Sequence, residues 1–176
     1  GHFFNWEILI YSMNLLFHHQ AIGVGKKLTN QEFNRLTNER RSRFGLNIIH
    51  ADNIREEFAT LANANTATLF LSDQYPGGAT KGYFKKFLNK PSYFLYGAEK
   101  YARQYDLPVL YARFEKVKQG SYKIHLTEIT DKPNDTDYGF IIEEYVRLLE
   151  RNILEQPEIW LWSHKRWKNI ENYYHN

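Results

Sequence analysis

The chain opens on GHFFNWE, in which a histidine and a glutamate lie close together. If His2 and Glu7 were on one helix, rotations of about 100° per residue would place them about 140° apart, and their side chains could not meet. They can meet if His2 lies in the loop before the helix, because that loop can fold the imidazole back over the helix start. A carboxylate that accepts a hydrogen bond from one imidazole nitrogen fixes the tautomer, and the other nitrogen can then take a proton from a hydroxyl. His2 and Glu7 are therefore a candidate general base and its orienting partner, although this spacing also arises by chance.

The residues beside this pair predict where the helix begins. Asn5 is a good N-cap residue, because its side-chain oxygen can accept a backbone N–H of the first turn. Apolar residues then recur with the 3.6-residue period, so the predicted helix carries Glu7 in its first turn. The partly positive start of such a helix would lie beside the imidazole and help to hold developing negative charge.

The composition excludes several other kinds of chemistry. The 176 residues include no cysteine, which excludes disulfides, thiolate metal sites and cysteine nucleophiles. No spacing among the histidines resembles a zinc site, so we expect no metal. The net charge of +3 is gathered into small basic clusters, a pattern typical of proteins that bind phosphates or a membrane surface, and also of ordinary solvated surfaces. No nucleic-acid motif is present, so we do not expect a nucleic-acid partner.

The alternation of strand and helix patterns predicts an α/β fold. With 43% apolar and 24% charged residues, the chain should fold as one domain over residues 1–176. AIGVGKK, LNIIHA and TATLFLS read as strands, and helical patterns lie between them, which favours a mostly parallel central sheet flanked by helices. The glycine- and proline-rich stretch from Asp73 to Tyr96 reads as a long loop of the kind that is usually functional. A hairpin with a KQGS turn and a long helix capped by Asp135 or Thr136 follow.

Near its C-terminus the sequence contains a tryptophan-rich tail, PEIWLWSHKRWKN. Three tryptophans alternate there with basic side chains. Such a tail is typical of an interfacial belt, with aromatic rings at the headgroup level of a membrane and cations toward phosphate. Structural packing of the tryptophans is the alternative interpretation.

Five segments together resemble one known family over essentially the whole chain. GHFFNWE resembles the H-x-x-x-x-[DE] signature of the lysophospholipid acyltransferase superfamily, and specifically the G-H-[FYL]-G-N-W-E form of the bacterial lipid A biosynthesis (late) acyltransferases. The other segments resemble that family's motifs in the same order; they are VGKKLTNQEFNRL, ERRSRFG, SDQYP and PEIWLWSHKRWK. Phe4 stands where the family commonly has glycine, and Gly25 and Lys27 stand where it commonly has tyrosine and proline.

The resemblance implies a glycerol-phosphate acyltransferase-like fold and roles for six residues. His2 would be the general base and Glu7 its orienting partner, and Arg41 and Asp73 would be the basic and acidic residues of the substrate site. Lys26 and Asn30 match a further family segment and would also bind substrate. Two of these have ordinary alternatives: Arg41 could pair with a surface carboxylate, and Asp73 could form a turn ahead of Pro76.

The implied activity is O-acyl transfer of the lauroyl- or myristoyl-transferase kind. A fatty acyl chain would pass from an acyl carrier protein thioester, or a coenzyme A thioester, to a hydroxyl of an acylated glucosamine disaccharide, the lipid A precursor. No other cofactor is expected. The implied location is the cytoplasmic face of the bacterial inner membrane. Because Met13 is the only methionine, we expect an N-terminal portion with a transmembrane anchor to be missing, and the fragment itself to be soluble or peripheral. An acyltransferase acting on another lipid hydroxyl and a noncatalytic lipid-binding domain remain open alternatives.

Overall fold

The three strands predicted first along the chain form one parallel sheet. The computed structural model describes residues 1–61, 64–76 and 82–167, and the chain divides into two compact units. The first, which we call the parallel unit, is Asn5–Leu71, and the second, the hairpin unit, is Gly1–Phe4 together with Ser72–Asn176. The parallel unit contains α1 (Trp6–Leu16), β1 (Gln20–Gly25), α2 (Gln31–Ser42), β2 (Asn47–His50), α3 (Ile54–Leu61) and β3 (Thr66–Leu69).

Strand β1 is the centre of this sheet. It lies between β2 and β3 and is parallel to both. Ala21 and Ile22 on β1 are completely buried, as expected for a central strand that helices cover. Parallel neighbours need a crossover connection, and α2 and α3 supply the two crossovers. The predicted α/β class and its parallel strands are confirmed.

The glycine that follows α2 is required by close packing. Helix α2 ends at Ser42, and Gly45 follows it with a φ of +92°. A Cβ atom at Gly45 would lie 2.5 Å from Nδ2 of Asn14. The Asn14 side chain is held in place because its Oδ1 accepts the backbone N–H of Ala21 at 3.1 Å. The turn therefore needs a residue that is both small and tolerant of positive φ.

The hairpin unit pairs its strands antiparallel. Its elements are β4 (Gly82–Phe87), β5 (Lys90–Leu95), α4 (Gly97–Tyr105), β6 (Val109–Lys118), β7 (Ser121–Thr130) and α5 (Phe140–Glu155), with short 3₁₀ turns at Pro133–Asp135 and Pro157–Ile159. β4 pairs with β5, and β6 pairs with β7 through the predicted turn at Gly120. No helix in the described parts of the chain is long and apolar enough to cross a bilayer.

The prediction of a long loop from Asp73 to Tyr96 is wrong for most of its length. Residues 82–95 form the β4–β5 hairpin, and residues 77–81 lie outside the described part of the chain. Phe87 and Phe94 point to the buried face of the hairpin and are fully buried. The turn was missed because its two residues, Leu88 and Asn89, both adopt positive φ (48° and 62°) without a glycine.

The predicted cap of α5 is also wrong. The helix begins at Phe140, and residues near Asp135 and Thr136 form a separate 3₁₀ turn. The first turn of α5 is capped from a distance by Glu99 of α4, whose carboxylate accepts the backbone N–H groups of Gly139 (2.7 Å) and Ile142 (3.0 Å). A carboxylate at this position satisfies free N–H groups and complements the positive helix start.

Replacing Glu99 should destabilise the protein strongly. The Glu99 side chain is fully buried and also pairs with Nε of Arg103 at 2.9 Å. Glu99→Ala leaves Nε of the partly buried Arg103 guanidinium and two helix N–H groups without their acceptor, so we expect a loss of about 3–5 kcal/mol in the free energy of unfolding. Urea unfolding followed by circular dichroism measures it. Glu144→Ala, which removes a partly exposed carboxylate paired with Arg147, is the matched control, and equal losses of stability in the two variants would contradict the cap.

In the core of the hairpin unit, the first residues of the chain pack against the segment around Trp160. Phe87, Phe94 and Leu149 are completely buried, and Phe3 and Trp160 pack into the same cluster. The Phe87 ring meets the Phe94 and Trp160 rings edge to face, with centroids 5.2 and 5.9 Å apart. The two segments that carry the most specific motifs are therefore parts of one packed core.

Candidate active site

The residues that flank His2 are fixed by backbone pairing. Phe3 forms an antiparallel bridge with Trp160, and the N–H of Phe4 donates to the carbonyl of Ile159 at 2.6 Å. The side chain of Phe3 is buried in the core just described. The backbone of His2 is thus held on a packed scaffold.

The imidazole of His2 is bound by Asp73. Nδ1 of His2 lies 2.6 Å from Oδ1 of Asp73, and the backbone N–H of His2 donates to Oδ2 at 2.7 Å. Both side chains are buried. The two residues are 71 positions apart in the chain, so tertiary packing and not local spacing decides this contact.

Asp73 is itself held by the tryptophan-rich tail. Nε1 of Trp160 donates to its Oδ2 at 3.0 Å, and Nη1 of Arg166 donates to its backbone carbonyl. Nη2 of Arg166 reaches the carbonyl of Tyr93 at 2.7 Å, and its guanidinium carbon lies 3.9 Å from the centre of the Phe94 ring. The tail therefore supports the orientation of Asp73 from two sides.

The charge of Asp73 is favoured by its surroundings. Burial by itself raises the pKa of the Asp73 carboxyl, but the side-chain and backbone hydrogen bonds that Asp73 makes with His2, together with nearby positive charge, outweigh it and hold that pKa below its usual range. Asp73 is an ionised acceptor at neutral pH. It favours the His2 tautomer that carries its proton on Nδ1, which makes Nε2 the nitrogen that can accept a proton from a substrate.

Phe4 occupies a backbone position suited to glycine. Its φ is +41°, in the left-handed region that non-glycine residues adopt at a cost of about 1 kcal/mol. Its ring contacts Tyr122 (centroids 6.1 Å apart), and Nζ of Lys116 lies 4.7 Å from the ring centre. The departure at this position from the glycine of the family motif is thus accommodated by contacts of the ring within the hairpin unit.

Glu7 and Arg41 form a second charged pair, inside the parallel unit. Glu7 lies in the first turn of α1, as predicted, and its Oε1 accepts Nη2 of Arg41 at 3.0 Å. The Arg41 guanidinium also lies over the ring of Trp6, at 5.3 Å. Nε of Arg41 is buried and has no hydrogen-bond partner in the described residues. The sequence predicted that the carboxylate of Glu7 would accept the hydrogen bond of the His2 imidazole. In the structure the carboxylate of Asp73 lies at Nδ1 of His2. The role of Glu7 toward His2 stays a prediction.

Lys26 and Asn30 lie on the loop between β1 and α2. Asn30 caps α2, since its Oδ1 accepts the N–H of Phe33 at 2.9 Å. Lys26 follows the last residue of β1 and is exposed. Substrate binding by these two residues stays a prediction. In the described residues, no group of three or more His, Asp or Glu side chains could hold a metal ion.

Two of the three tryptophans in the tail, and Arg166, follow the packing interpretation. Trp160 and Arg166 are buried, and Nε1 of Trp167 donates to Oγ of Ser92 at 2.9 Å. These side chains do not face a membrane surface, because they fill the interior around Asp73. Trp162 is half exposed, and Lys168 lies outside the described residues. The roles of Trp160 and Arg166 in holding Asp73 were missed, and the only signal for them was the mixed aromatic and basic motif.

Tyr145 places a hydroxyl with no acceptor near this site. It lies on α5 against Phe94 and Tyr111, and its Oη is buried beside the backbone N–H of Ser72 but donates to no acceptor in the described residues. Burial raises its pKa well above the ordinary value, and the negative charge of Asp73 adds to this, so the group keeps its proton. The proton finds no acceptor in the described structure, which is an unfavourable arrangement.

Removing the hydroxyl of Tyr145 should therefore change the stability of the protein little. We expect Tyr145→Phe to lower the midpoint of thermal unfolding less than Tyr111→Phe does, because the change keeps the ring and deletes a hydroxyl whose proton has no acceptor. Differential scanning calorimetry measures it. Tyr111→Phe is the matched control, since it removes a hydroxyl that accepts Nδ2 of Asn152 at 2.7 Å and should be destabilising. A larger loss for Tyr145→Phe than for Tyr111→Phe would contradict this view of the hydroxyl.

His164 should make the stability depend on pH. Its Nε2 accepts the backbone N–H of Tyr75 at 3.0 Å, which requires the neutral ring. Burial, and then the positive charge of Arg166, lower its pKa from the ordinary value of about 6.5. Because the unfolded chain binds the proton more tightly, stability is full above about pH 6.5 and falls as the pH drops through that value toward the lower pKa of the folded state.

A substitution isolates this contribution. We expect His164→Gln, whose side-chain carbonyl can take the place of Nε2, to unfold with less pH dependence between about pH 7.5 and 5 than the parent chain. Thermal unfolding at a series of pH values measures the difference, and exposed His19→Gln is the control. If His164→Gln and His19→Gln change the pH dependence equally, His164 is not the responsible group.

The sequence of the chain matches one known protein family over most of its length. Over residues 1–169 the chain matches the family model described as bacterial lipid A biosynthesis acyltransferase. The chain belongs to the bacterial lipid A biosynthesis acyltransferase family. The match confirms the resemblance drawn from the five segments, and the lipid A biosynthesis acyltransferase family implies an acyltransferase whose acceptor is a lipid A precursor. A comparison with curated proteins gives no match.

Proposed function

We propose that this chain transfers a fatty acyl group from an acyl carrier protein thioester to a hydroxyl of an acylated glucosamine disaccharide, with His2 as general base and Asp73 as the residue that orients it. The observation that carries the proposal is the 2.6 Å contact between Nδ1 of His2 and Oδ1 of Asp73 within a chain of this family. A buried, ionised carboxylate on Nδ1 fixes the tautomer that leaves Nε2 as the basic nitrogen.

The reaction needs no covalent enzyme intermediate. Nε2 of His2 takes the proton of the acceptor hydroxyl as its oxygen attacks the thioester carbonyl, and the carbonyl becomes an oxyanion. Collapse of this intermediate breaks the carbon–sulfur bond, and the departing thiolate takes the proton from the imidazolium. Asp73 stabilises the imidazolium between the two steps by its negative charge. The lack of cysteine is compatible with this direct transfer.

Of the residues predicted to bind substrate, Arg41, Lys26 and Asn30 lie in the parallel unit and Asp73 lies in the hairpin unit. We assign Arg41 to an anionic group, either the developing oxyanion or a phosphate of the acceptor, because its buried Nε has no protein acceptor in the described residues while Nη2 is held by Glu7. Lys26 and Asn30 are assigned to the same substrates on the family motif. We place the reaction at the cytoplasmic face of the bacterial inner membrane, where a carrier protein thioester can meet a lipid acceptor.

A product analysis tests this function. The chain is incubated with acyl carrier protein thioesters of several lengths, and separately with coenzyme A thioesters, in the presence of a tetra-acylated lipid A precursor, and product masses are read by mass spectrometry. We expect the precursor to gain one acyl group from a carrier protein thioester. A lysophospholipid acceptor is offered in parallel, and acylation of that acceptor alone would redirect the assignment to another lipid hydroxyl. Absence of transfer from every donor to either acceptor would overturn it.

A further inference from the structure

Helix α2 presents an apolar face that nothing in the parallel unit covers. None of its residues is buried. Phe33 and Leu36 are 62% and 45% exposed, and because they are three residues apart they lie side by side on one face of the helix. Single exposed apolar residues are ordinary, but an adjacent pair on a helix without any buried residue is a continuous patch.

The loop before α2 extends this patch. Leu28 is 37% exposed, and its backbone N–H donates to Oδ1 of Asn34 at 3.0 Å. This hydrogen bond folds the loop over the first turn of the helix, next to the Asn30 cap. Leu28 is therefore fixed beside the start of the helix that carries Phe33.

Basic side chains lie at both ends of the patch. Between residues 26 and 43 there are six basic side chains and two carboxylates, a net charge of +4. The two carboxylates, Glu32 and Glu39, are both bonded to Arg35. Lys27 before the helix and Arg40 and Arg43 at its end are exposed and carry the excess charge.

The opposite side of α2 is occupied. Arg41 is held by Glu7 and lies over Trp6 of α1. On a helical projection Leu36 is about 140° and Phe33 about 80° from Arg41, so neither side chain lies on the side of α2 that makes this contact. The orientation of α2 within the parallel unit is thus set by α1, and its apolar face stays open there.

We propose that the α2 surface, which we define as Lys27, Leu28, Phe33, Leu36, Arg40 and Arg43, docks on an anionic lipid bilayer. Apolar side chains in the middle of the surface enter the acyl boundary, and the basic side chains at its two ends bind headgroup phosphates. An acidic protein would use the charges but has no need of the exposed phenylalanine and leucine, and this favours the lipid. The inference rests on the proposed function, since it brings the chain to the membrane that holds its acceptor.

Vesicle binding without any substrate tests the proposal. Flotation of the whole chain with phosphatidylcholine vesicles, with and without phosphatidylglycerol, gives the apparent affinity. We expect binding only when the anionic lipid is present, and a fall of about tenfold or more for Phe33→Ser with Leu36→Ser. Arg40→Ala with Arg43→Ala should lower binding and also flatten its dependence on salt. Equal binding by the parent chain and both variants would overturn the proposal.

Two control variants match these changes elsewhere on the chain. Leu126→Ser removes a leucine that is 47% exposed on β7, and Lys118→Ala with Lys123→Ala removes two exposed bases from the β6–β7 hairpin. Both controls should bind vesicles as the parent does. If they lose as much as the α2 variants, the effect is one of total charge or apolarity, and the α2 surface is not the docking site.

Other occupants of the surface give different results. If the α2 variants bind vesicles normally but lose affinity for acyl carrier protein, the surface docks the carrier and the proposal is wrong. If the parent chain sediments as a dimer and the α2 variants sediment as monomers, the surface joins two copies of the chain and the proposal is equally wrong. Acyl transfer in detergent micelles separates this inference from the proposed function, because the α2 variants should keep the micellar rate of the parent. Vesicle binding by a chain without transfer in micelles would support the docking surface and count against the function.

Discussion

His2→Ala is expected to lower the rate of acyl transfer by roughly 10²–10⁴-fold, because the variant loses the nitrogen that takes the proton from the acceptor hydroxyl. The backbone contacts of this segment do not depend on the imidazole, since they run through the bridge of Phe3 to Trp160. The circular dichroism spectrum should therefore stay that of the parent. Single-turnover transfer from a carrier protein thioester measures the loss at the chemical step.

A matched histidine keeps this experiment specific. His19 is exposed on the parallel unit, and His19→Ala should transfer at the parental rate. A His2→Ala protein that is folded and transfers acyl groups as fast as His19→Ala would show that His2 is not the base. That result would favour the alternative function, a noncatalytic lipid-binding domain.

Asp73→Asn is expected to lower the rate of acyl transfer nearly as much as His2→Ala does. The amide keeps the size of the side chain but no longer carries the charge that fixes the tautomer and stabilises the imidazolium, and the corresponding change in Ser-His-Asp enzymes costs about 10⁴-fold. The loss should fall on kcat more than on KM, since the Asp73 carboxylate is buried and both its oxygens are bonded within the protein. The double variant with His2→Ala should be no slower than His2→Ala alone, because the two residues act as one unit.

The same experiment separates the two candidate partners of His2. Glu7→Gln removes the carboxylate predicted from the motif spacing, which in the structure binds Arg41 and is 44% exposed. If Asp73 orients the imidazole, Asp73→Asn should fall further in kcat than Glu7→Gln. A large loss for Glu7→Gln with a near-parental rate for Asp73→Asn would return the orienting role to Glu7 and overturn the assignment made here.

The strand and helix pattern of the parallel unit follows from the order of residues. Each strand there is a short apolar or β-branched run, and each helix has a recognisable start, such as Asn30 before α2. Local signals suffice because the crossover from one parallel strand to the next is itself a local feature of the chain. The same signals failed for the β4–β5 hairpin, where lysines interrupt the apolar alternation and the turn contains no glycine.

The start of α5 could not be read from the sequence for a different reason. Its capping carboxylate, Glu99, lies 40 positions before Gly139 on another helix. A local cap residue such as Asp135 is visible in the sequence, but a cap supplied by a distant side chain is not. Tertiary packing therefore moved the helix start past the local signal.

The sequence by itself determined the acyltransferase family of this protein and predicted its base, since His2 stands in a motif that resembles that of the family and the absence of cysteine excludes a thiol nucleophile. Only the tertiary structure decided which groups bind that base. Asp73, Trp160 and Arg166 come from segments far apart in the chain, and no spacing rule connects them. Hydrogen bonds between distant residues depend on how sheets and hairpins pack, and that information is held by the whole core around Phe87 and Phe94.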